Sequence, residues 1–467
     1  MARVSATHLY GFLLLFLFLS SQRAVLAQTK PEEPPPTTRI LFLLDGSGSM
    51  LARMEGNYSR MVVAKRLLSD LVDSLAGKPH LELALRVYGH QFDRRQKNCQ
   101  DSKLEVGFSA NNVDRIKERL RAIVPRGTTP IAYSLEQAAR DFPSDPRSRN
   151  IVIIITDGLE SCDGDPCTVA LALQKSRTFL KPFIIGLDAQ GNNFADAFAC
   201  LGQYFEAYDI KTFRQVLDKV MKQTLEPTTL SVELLDSDGK PTETNVNMQF
   251  SNSVTGATEY DFYHYLDEKG QTDHLAVDAV LSYDILVRTI PPVLKEDVYL
   301  EGGQHNVVRI SAPQGALQVR KEGGSPQEQP AVLVRHPRTR QTLNQQTTGE
   351  AVKYLVGTYD VEVLTLPRTT FADVKIEQSK TTPLSLPAPG ILNVTNLTYG
   401  IGSLYVLRSD TENELFYQFQ DRLHLNLALQ PGNYKIVFRA KSAKGSRFTD
   451  VKYFTIKSNQ TTNLKLF

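Results

Sequence analysis

Asp45, Ser47 and Ser49 stand two residues apart in Asp45-Gly46-Ser47-Gly48-Ser49-Met50, directly after the apolar run Ile40-Leu41-Phe42-Leu43-Leu44. One carboxylate and two hydroxyls, with glycines between them, can turn three oxygens toward one point. Converging hard oxygens suit a hard divalent cation such as Mg²⁺. Taken alone, the same letters also read as a strand-to-helix turn, since Asp, Gly and Ser are ordinary turn and N-cap residues. Two distant segments add to the set. Thr129, in Gly127-Thr128-Thr129-Pro130, is placed to cap a helix that Pro130 opens at its first position. Asp157, in Thr156-Asp157-Gly158, ends the apolar run at 151–155. The candidate donors are thus Asp45, Ser47, Ser49, Thr129 and Asp157, all oxygen and only two of them charged.

These residues need a frame that brings three loops to one edge. Four or five consecutive apolar residues without alternation suit a parallel strand covered on both faces, and ligands of such sheets bind where loops leave the carboxyl ends of the strands. Around the two runs, strand and helix patterns alternate. Met61, Ala64, Leu68, Leu71, Val72 and Leu75 recur at helical spacing until Gly77 and Pro79. Strands are predicted at 81–88, 104–108, 183–185 and 204–205. Helical stripes are predicted through Val113, Ile116, Leu120 and Ile123, then Leu135, Ala138, Ala139 and Phe142, then Phe213, Val216, Leu217, Val220 and Met221. The pattern predicts an α/β domain over 39–226, with a doubly wound, mostly parallel sheet and helices on both faces.

With these residues placed, the region resembles a von Willebrand factor type A domain. Asp45-x-Ser47-x-Ser49, the distant Thr129 and the distant Asp157 match the parts of its metal-ion-dependent adhesion site, in order. The wording of Tyr88-Gly89-His90, Gly127-Thr128-Thr129-Pro130-Ile131 and Asp157-Gly158-Leu159-Glu160-Ser161-Cys162 is similar to an exported bacterial subgroup. The family often has a second Gly where Thr128 stands. The resemblance implies that Ser47 and Ser49 bind Mg²⁺, or Mn²⁺ in its place, directly, and that Thr129 joins directly or through water. Asp45 and Asp157 then act mostly through water. One coordination position is left for the Glu or Asp carboxylate of a protein partner.

Beyond residue 227 helical stripes stop and short alternating runs take over. Gly315-Ala316-Leu317-Gln318-Val319 and Gly390-Ile391-Leu392-Asn393-Val394 stand 75 residues apart, and so do Gly357-Thr358-Tyr359-Asp360-Val361 and Gly432-Asn433-Tyr434-Lys435-Ile436. A weaker copy has Tyr283 lying 76 residues before Tyr359. The period predicts three small all-β sandwich modules, at 228–312, 315–388 and 390–467. The segment Leu429-Gln430-Pro431-Gly432-Asn433-Tyr434-Lys435-Ile436 resembles the hairpin of PEGA-type and transthyretin-like repeats.

At the other end, Arg3 and His8 precede the apolar stretch 11–19 and the small-residue site Val25-Leu26-Ala27, the pattern of a signal peptide spanning 1–27. A proline-rich tether, 28–38, follows. The reading is a secreted or periplasmic protein with no membrane span in the mature chain. Export makes disulfides plausible for Cys99, Cys162, Cys167 and Cys200, with three connectivities open and a zinc site as the rival. A formal net charge of +2 over 467 residues, without a basic tract, argues against nucleic-acid binding. Asp163-Gly164-Asp165 reads as a braced turn and His90 as a structural residue. The chain lacks a G-x-S-x-G elbow, a phosphate-binding P-loop and a dinucleotide-binding glycine motif. The expected function is therefore non-enzymatic capture of an acidic protein partner through Mg²⁺. The alternatives are a structural or assembly component of a cell-envelope complex and, more remotely, a metal-dependent hydrolase.

Overall fold

The structure is a computed structural model that describes residues 36–145, 147–187, 194–323, 329–409 and 413–466. The expected signal peptide and most of the tether lie outside the described residues. The N-terminal domain is a six-stranded sheet with helices on both faces. Its elements are β1 (Thr38–Asp45), α1 (Arg60–Ser74), β2 (Leu81–Tyr88), β3 (Ser102–Ser109), α2 (Val113–Ala122), α3 (Ile131–Asp141), β4 (Arg149–Thr156), α4 (Pro166–Lys175), β5 (Phe183–Gly186), α5 (Phe194–Phe198), β6 (Gln203–Glu206) and α6 (Ile210–Leu225). The strand order is β3-β2-β1-β4-β5-β6. All neighbours are parallel except β3, which pairs antiparallel with β2 at the edge.

The unbroken apolar run of β1 follows from this position. Every β1 residue is buried. Ile40, Phe42 and Leu44 face a core shared with α1, α2 and α6, including Leu68, Leu120 and Phe213. Leu43 faces the opposite core with Ile131, Leu135 and Ala170, and Leu41 packs on that side with Ala138 of α3. Connections diverge on either side of β1 and β4, so the gap between the carboxyl ends of these two strands is the sheet's topological switch point.

The rest of the described chain is β structure. Segments 228–311, 314–386 and 390–466 each hold one four-stranded and one three-stranded sheet. Counting strands within a segment, the four-stranded sheet runs third-second-fifth-sixth and the three-stranded sheet fourth-first-seventh, in all three. The seventh strand lies parallel to the first each time. Each segment has its own apolar core. The repeated tyrosine has one job in all three: Tyr283, Tyr359 and Tyr434 are buried at or near the start of the fifth strand. They donate their hydroxyls to the backbone carbonyls of Asp278, Leu355 and Gln430, at 2.8, 2.8 and 2.5 Å. A half-buried pair joins the α/β domain to the first of these segments, with Arg149 reaching both carboxylate oxygens of Asp278 at 2.7 and 2.8 Å. No helix among the described residues is long and apolar enough to cross a membrane.

Candidate metal centre

The site grows from the end of β1. Asp45 is fully buried, and both of its carboxylate oxygens are engaged. Oδ1 accepts the backbone N–H of Ser47 at 2.7 Å, and Oδ2 accepts the hydroxyl of Thr156, at the end of β4, also at 2.7 Å. Burial, reinforced by the charge of Asp157, pushes the Asp45 carboxyl up to about 6. Gly46 is required where it stands. A Cβ there would lie 2.7 Å from the carbonyl oxygen of Tyr88 and 2.8 Å from the Cβ of His90. The loop then runs beside 126–127, with Ser47 bridged to Gly127 and the N–H of Gly48 donating to the Gly127 carbonyl at 3.0 Å.

Three oxygens form a continuous chain across the switch point. Ser47 Oγ and Ser49 Oγ are 2.8 Å apart, and Ser49 Oγ donates to Asp157 Oδ1 at 2.7 Å. Adjacent ligands of an octahedral ion at Mg²⁺–oxygen bond lengths stand about 2.9 Å apart. The separations of these oxygens, 2.8 and 2.7 Å, lie close to that ligand spacing and are also those of ordinary hydrogen bonds. Ser47 and Asp157 are buried while Ser49 is exposed, so the cluster opens to solvent on one side. Among the described residues no three His, Cys, Asp or Glu side chains gather as a metal cage. The donor chemistry here is two carboxylates plus hydroxyls, a set suited to Mg²⁺ rather than to zinc.

Thr129 is brought to the same edge, buried, but its side chain is not part of the bonded chain. Its backbone is fixed to Ser161, whose hydroxyl accepts the Thr129 N–H at 2.8 Å. The expected cap is displaced. Pro130 itself occupies the N-cap position of α3, and Glu160 supplies the capping oxygen by accepting the Ala132 N–H at 2.8 Å. The Thr129 hydroxyl is therefore not used for capping. Thr128, where the family often has Gly, donates its hydroxyl to the Asn98 carbonyl at 2.9 Å and ties this loop to the neighbouring one.

The cysteines form two disulfides, Cys99–Cys162 and Cys167–Cys200, which removes the zinc reading. The first joins the loop after β2 to the loop that follows Asp157. Asp101 organises the β2 loop from within, accepting the N–H groups of Gln91 and Phe92. His90 Nε2 bonds Glu105 Oε1 at 3.0 Å, as its structural reading expects. Asp165 caps α4 by accepting the N–H groups of Cys167 and Thr168, so Asp163-Gly164-Asp165 is a turn.

Two residues bonded to these candidate donors escape the sequence reading. Thr156 bonds Asp45 across 111 residues, and Arg60 Nη1 donates to Asp157 Oδ2 at 2.7 Å across 97. The available signal for Arg60 is its place at the first position of α1, where a cation opposes the helix dipole.

Residues 40–223 match the von Willebrand factor type A domain family. The uncharacterized protein YwmC of Bacillus subtilis is 30% identical over 209 residues, covering 43% of this chain and 90% of its own length. YwmD of the same organism is 30% identical over 196 residues, 40% of this chain and 86% of its own. Among solved structures, an aerotolerance-related membrane protein from Bacteroides fragilis is similar at 22% identity and a TM-score of 0.31, over 39% of this chain and 96% of that one.

Proposed function

The chain belongs to the von Willebrand factor type A domain family, and from that premise we propose that its α/β domain captures an acidic side chain of a protein partner through a bound divalent cation. The ion is Mg²⁺, with Mn²⁺ as an alternative, at a metal-ion-dependent adhesion site. Ser47 and Ser49 bind it directly. Thr129 completes the hydroxyl set. Asp45, whose two oxygens are already bonded, supplies charge from behind, and Asp157 does so from the side, through Oδ1 or a water. The supporting observation is the chain of oxygens from Ser47 through Ser49 to Asp157, spaced like adjacent octahedral ligands and open to solvent at Ser49. When bound, the cation would supply an electrophilic position for a partner carboxylate. The protein's own part is to hold three oxygens in place and to keep the number of negative charges low.

Apolar residues on the same loops support an interface rather than a closed cage. Leu51 follows Ser49, Phe92 lies on the loop after β2 and Leu159 on the loop after β4, and all three are exposed. Exposed apolar side chains around a polar centre suit a protein surface. The three β segments are read as sandwich modules of the PEGA-like or transthyretin-like kind that act as a spacer or add a second contact surface. The protein is read as exported after cleavage near Ala27 and as non-enzymatic, because no residue at the site stands ready as a general base for hydrolysis.

The test is a calorimetric titration of Mg²⁺ and of Mn²⁺ into the purified chain, beside Asp45→Ala and Ser47→Ala. The expected result is saturable binding to the parent and loss of binding in both variants. A folded parent that ignores millimolar cation would overturn the reading and leave the domain a scaffold in an envelope assembly.

A further inference from the structure

The last β segment presents a sheet face unlike that of the middle segment. In its four-stranded sheet, Leu404, Ile436 and Phe438 belong to the apolar core. Alternate residues point the other way. These are Ile401, Ser403 and Tyr405 on the second strand (Gly400–Leu407) and Lys435, Val437 and Arg439 on the fifth (Gly432–Ala440). The register sets Ile401 between Gln420 and Arg439, and Ser403 between Gln418 and Val437. On the sixth strand, Val451 lies beside Val437 and Tyr453 beside Lys435. Together these strands form an open cleft of about 500 Å³, with Ile401, Gln418, Gln420 and Arg439 on its walls.

In the middle segment the same face is closed by its own charges. Asp360 and Glu362 stand 75 residues before Lys435 and Val437. Glu362 accepts from Arg335 and Arg368 at 2.7 and 2.9 Å, and Asp360 pairs with Arg340. In the last segment the acids are gone and cations remain. Among the described residues, no outward position of this sheet carries an Asp or Glu. Glu414 and Asp450 pair with the buried Val406 and Phe438, which places them on the other face. Lys435 Nζ sits over the Tyr405 ring, 4.7 Å from its centre. The Arg439 side chain makes no hydrogen bond or ion pair with any described residue.

We propose that this face binds a short acidic glycan, an oligosaccharide whose sugar rings carry carboxylates. The positive face without acids complements such a chain in charge. Arg439 offers a planar fork that matches a carboxylate. Tyr453 is 69% exposed, and the electron-rich face of its ring suits the C–H side of a sugar. The amides of Gln418 and Gln420 and the Ser403 hydroxyl both donate and accept, as sugar hydroxyls require. From the level of Arg439 to that of Tyr453 the sheet runs four residues, about 13 Å, the reach of an oligosaccharide rather than of one sugar. A protein partner suits the face less. Its aliphatic side chains, Ile401, Val437 and Val451, are interrupted by amides, a hydroxyl and a guanidinium, so the continuous apolar centre of a protein interface is missing. The proposal is independent of the Mg²⁺ reading, because this segment has its own core and the α/β domain contributes nothing to the cleft.

The experiment is calorimetric titration of trigalacturonate into the purified full chain. EDTA is present throughout, so that no cation in the α/β domain can capture the carboxylates. The parent is compared with Arg439→Gln and Tyr453→Ala, with thermal melts to establish folding. The expected result is saturable binding to the parent, weakened about tenfold or more in Arg439→Gln and about threefold to tenfold in Tyr453→Ala. The methyl ester of trigalacturonate, titrated into the parent, should bind at least as weakly as trigalacturonate binds Arg439→Gln. This arm needs no variant and decides the carboxylate role if either variant does not fold. A folded parent that ignores millimolar trigalacturonate overturns the proposal, as does parental affinity in Arg439→Gln or equal affinity for the ester. A poly-glutamate peptide that binds as tightly as trigalacturonate, with the same loss in Arg439→Gln, would make this a surface for acidic protein and overturn the glycan. Sedimentation that shows a dimer of the parent and a monomer of Tyr453→Ala would assign the face to a second copy of the chain and overturn it likewise.

Discussion

Ser49 Oγ donates to Asp157 Oδ1 at 2.7 Å, joining the loop after β1 to the loop after β4 across 108 residues of chain. The bond crosses the switch point of the sheet, and one of its partners is exposed while the other is buried. Replacing Ser49 should therefore separate binding from stability. Ser49→Ala removes a proposed direct ligand, so Mg²⁺ affinity should fall at least tenfold in a calorimetric titration. Stability should change by only about 1 kcal/mol, the net worth of one partly exposed hydrogen bond. A loss of several kcal/mol in a denaturant titration would mean instead that the hydroxyl chain holds the fold together.

The two disulfides should be alike in stability and unlike in function. Cys99–Cys162 closes 63 residues and Cys167–Cys200 closes 33. The chain-entropy relation assigns each about 4 kcal/mol. The first also pins the loop after Asp157 to the loop ordered by Asp101, and Thr128 bonds the carbonyl of Asn98 beside it. Replacing Cys99 and Cys162 by Ser should lower both the denaturation midpoint and Mg²⁺ affinity. The matching Cys167 and Cys200 replacement should lower the midpoint by a similar amount and leave Mg²⁺ affinity near parental.

The difference between what could and could not be read from sequence is one of range. The run at 40–44 announced a strand buried on both faces because helices cover the sheet on either side and leave no solvent face. The 75-residue period placed Tyr359 and Tyr434 in register before their common bond to the carbonyl four residues upstream was visible. Arg60 and Thr156 were not legible as site residues, because their partners lie 97 and 111 residues away and no local pattern encodes such a pairing. The cap of α3 was misassigned for a related reason. Thr129-Pro130 has the right letters, but Glu160 reaches in from another loop and takes the N–H of Ala132. The β-strand and helix patterns of the α/β domain were local and periodic, so they could be read directly.

His264, in the first β segment, gives a pH dependence with a definite sign. The ring is buried, with Nε2 against the Val232 carbonyl at 2.9 Å and Nδ1 against the Thr244 hydroxyl at 3.2 Å. Burial lowers its pKa below the ordinary histidine value, because the charged form is disfavoured there. The unfolded chain then binds a proton that the folded chain refuses. The stability associated with the neutral ring is complete above about pH 6.5 and is lost as the pH falls below it. Denaturant titrations at pH 7.5 and pH 5 should show this loss in the parent, and His264→Gln should reduce the difference. An equal pH dependence in the variant would assign the effect to other groups.

Gly390 tests the physical basis of the repeat. A Cβ at this position would meet the Lys457 carbonyl oxygen at 2.4 Å and Ile456 Cγ2 at 2.7 Å. At Gly315, 75 residues earlier, it would meet the Glu377 carbonyl oxygen at 2.1 Å and Ile376 Cγ2 at 2.8 Å. The same glycine thus lets the first strand of a segment pass under the same turn between its sixth and seventh strands. Backbone atoms form the obstacle, so a side chain cannot simply rotate away. Gly390→Ala should destabilise the last segment by about 2 kcal/mol through overpacking. The last segment has a core separate from that of the α/β domain, so Mg²⁺ affinity should be unchanged. Limited proteolysis should then cleave first within 390–466 while the α/β domain resists. Cleavage that begins instead in the α/β domain would show that the two parts unfold together.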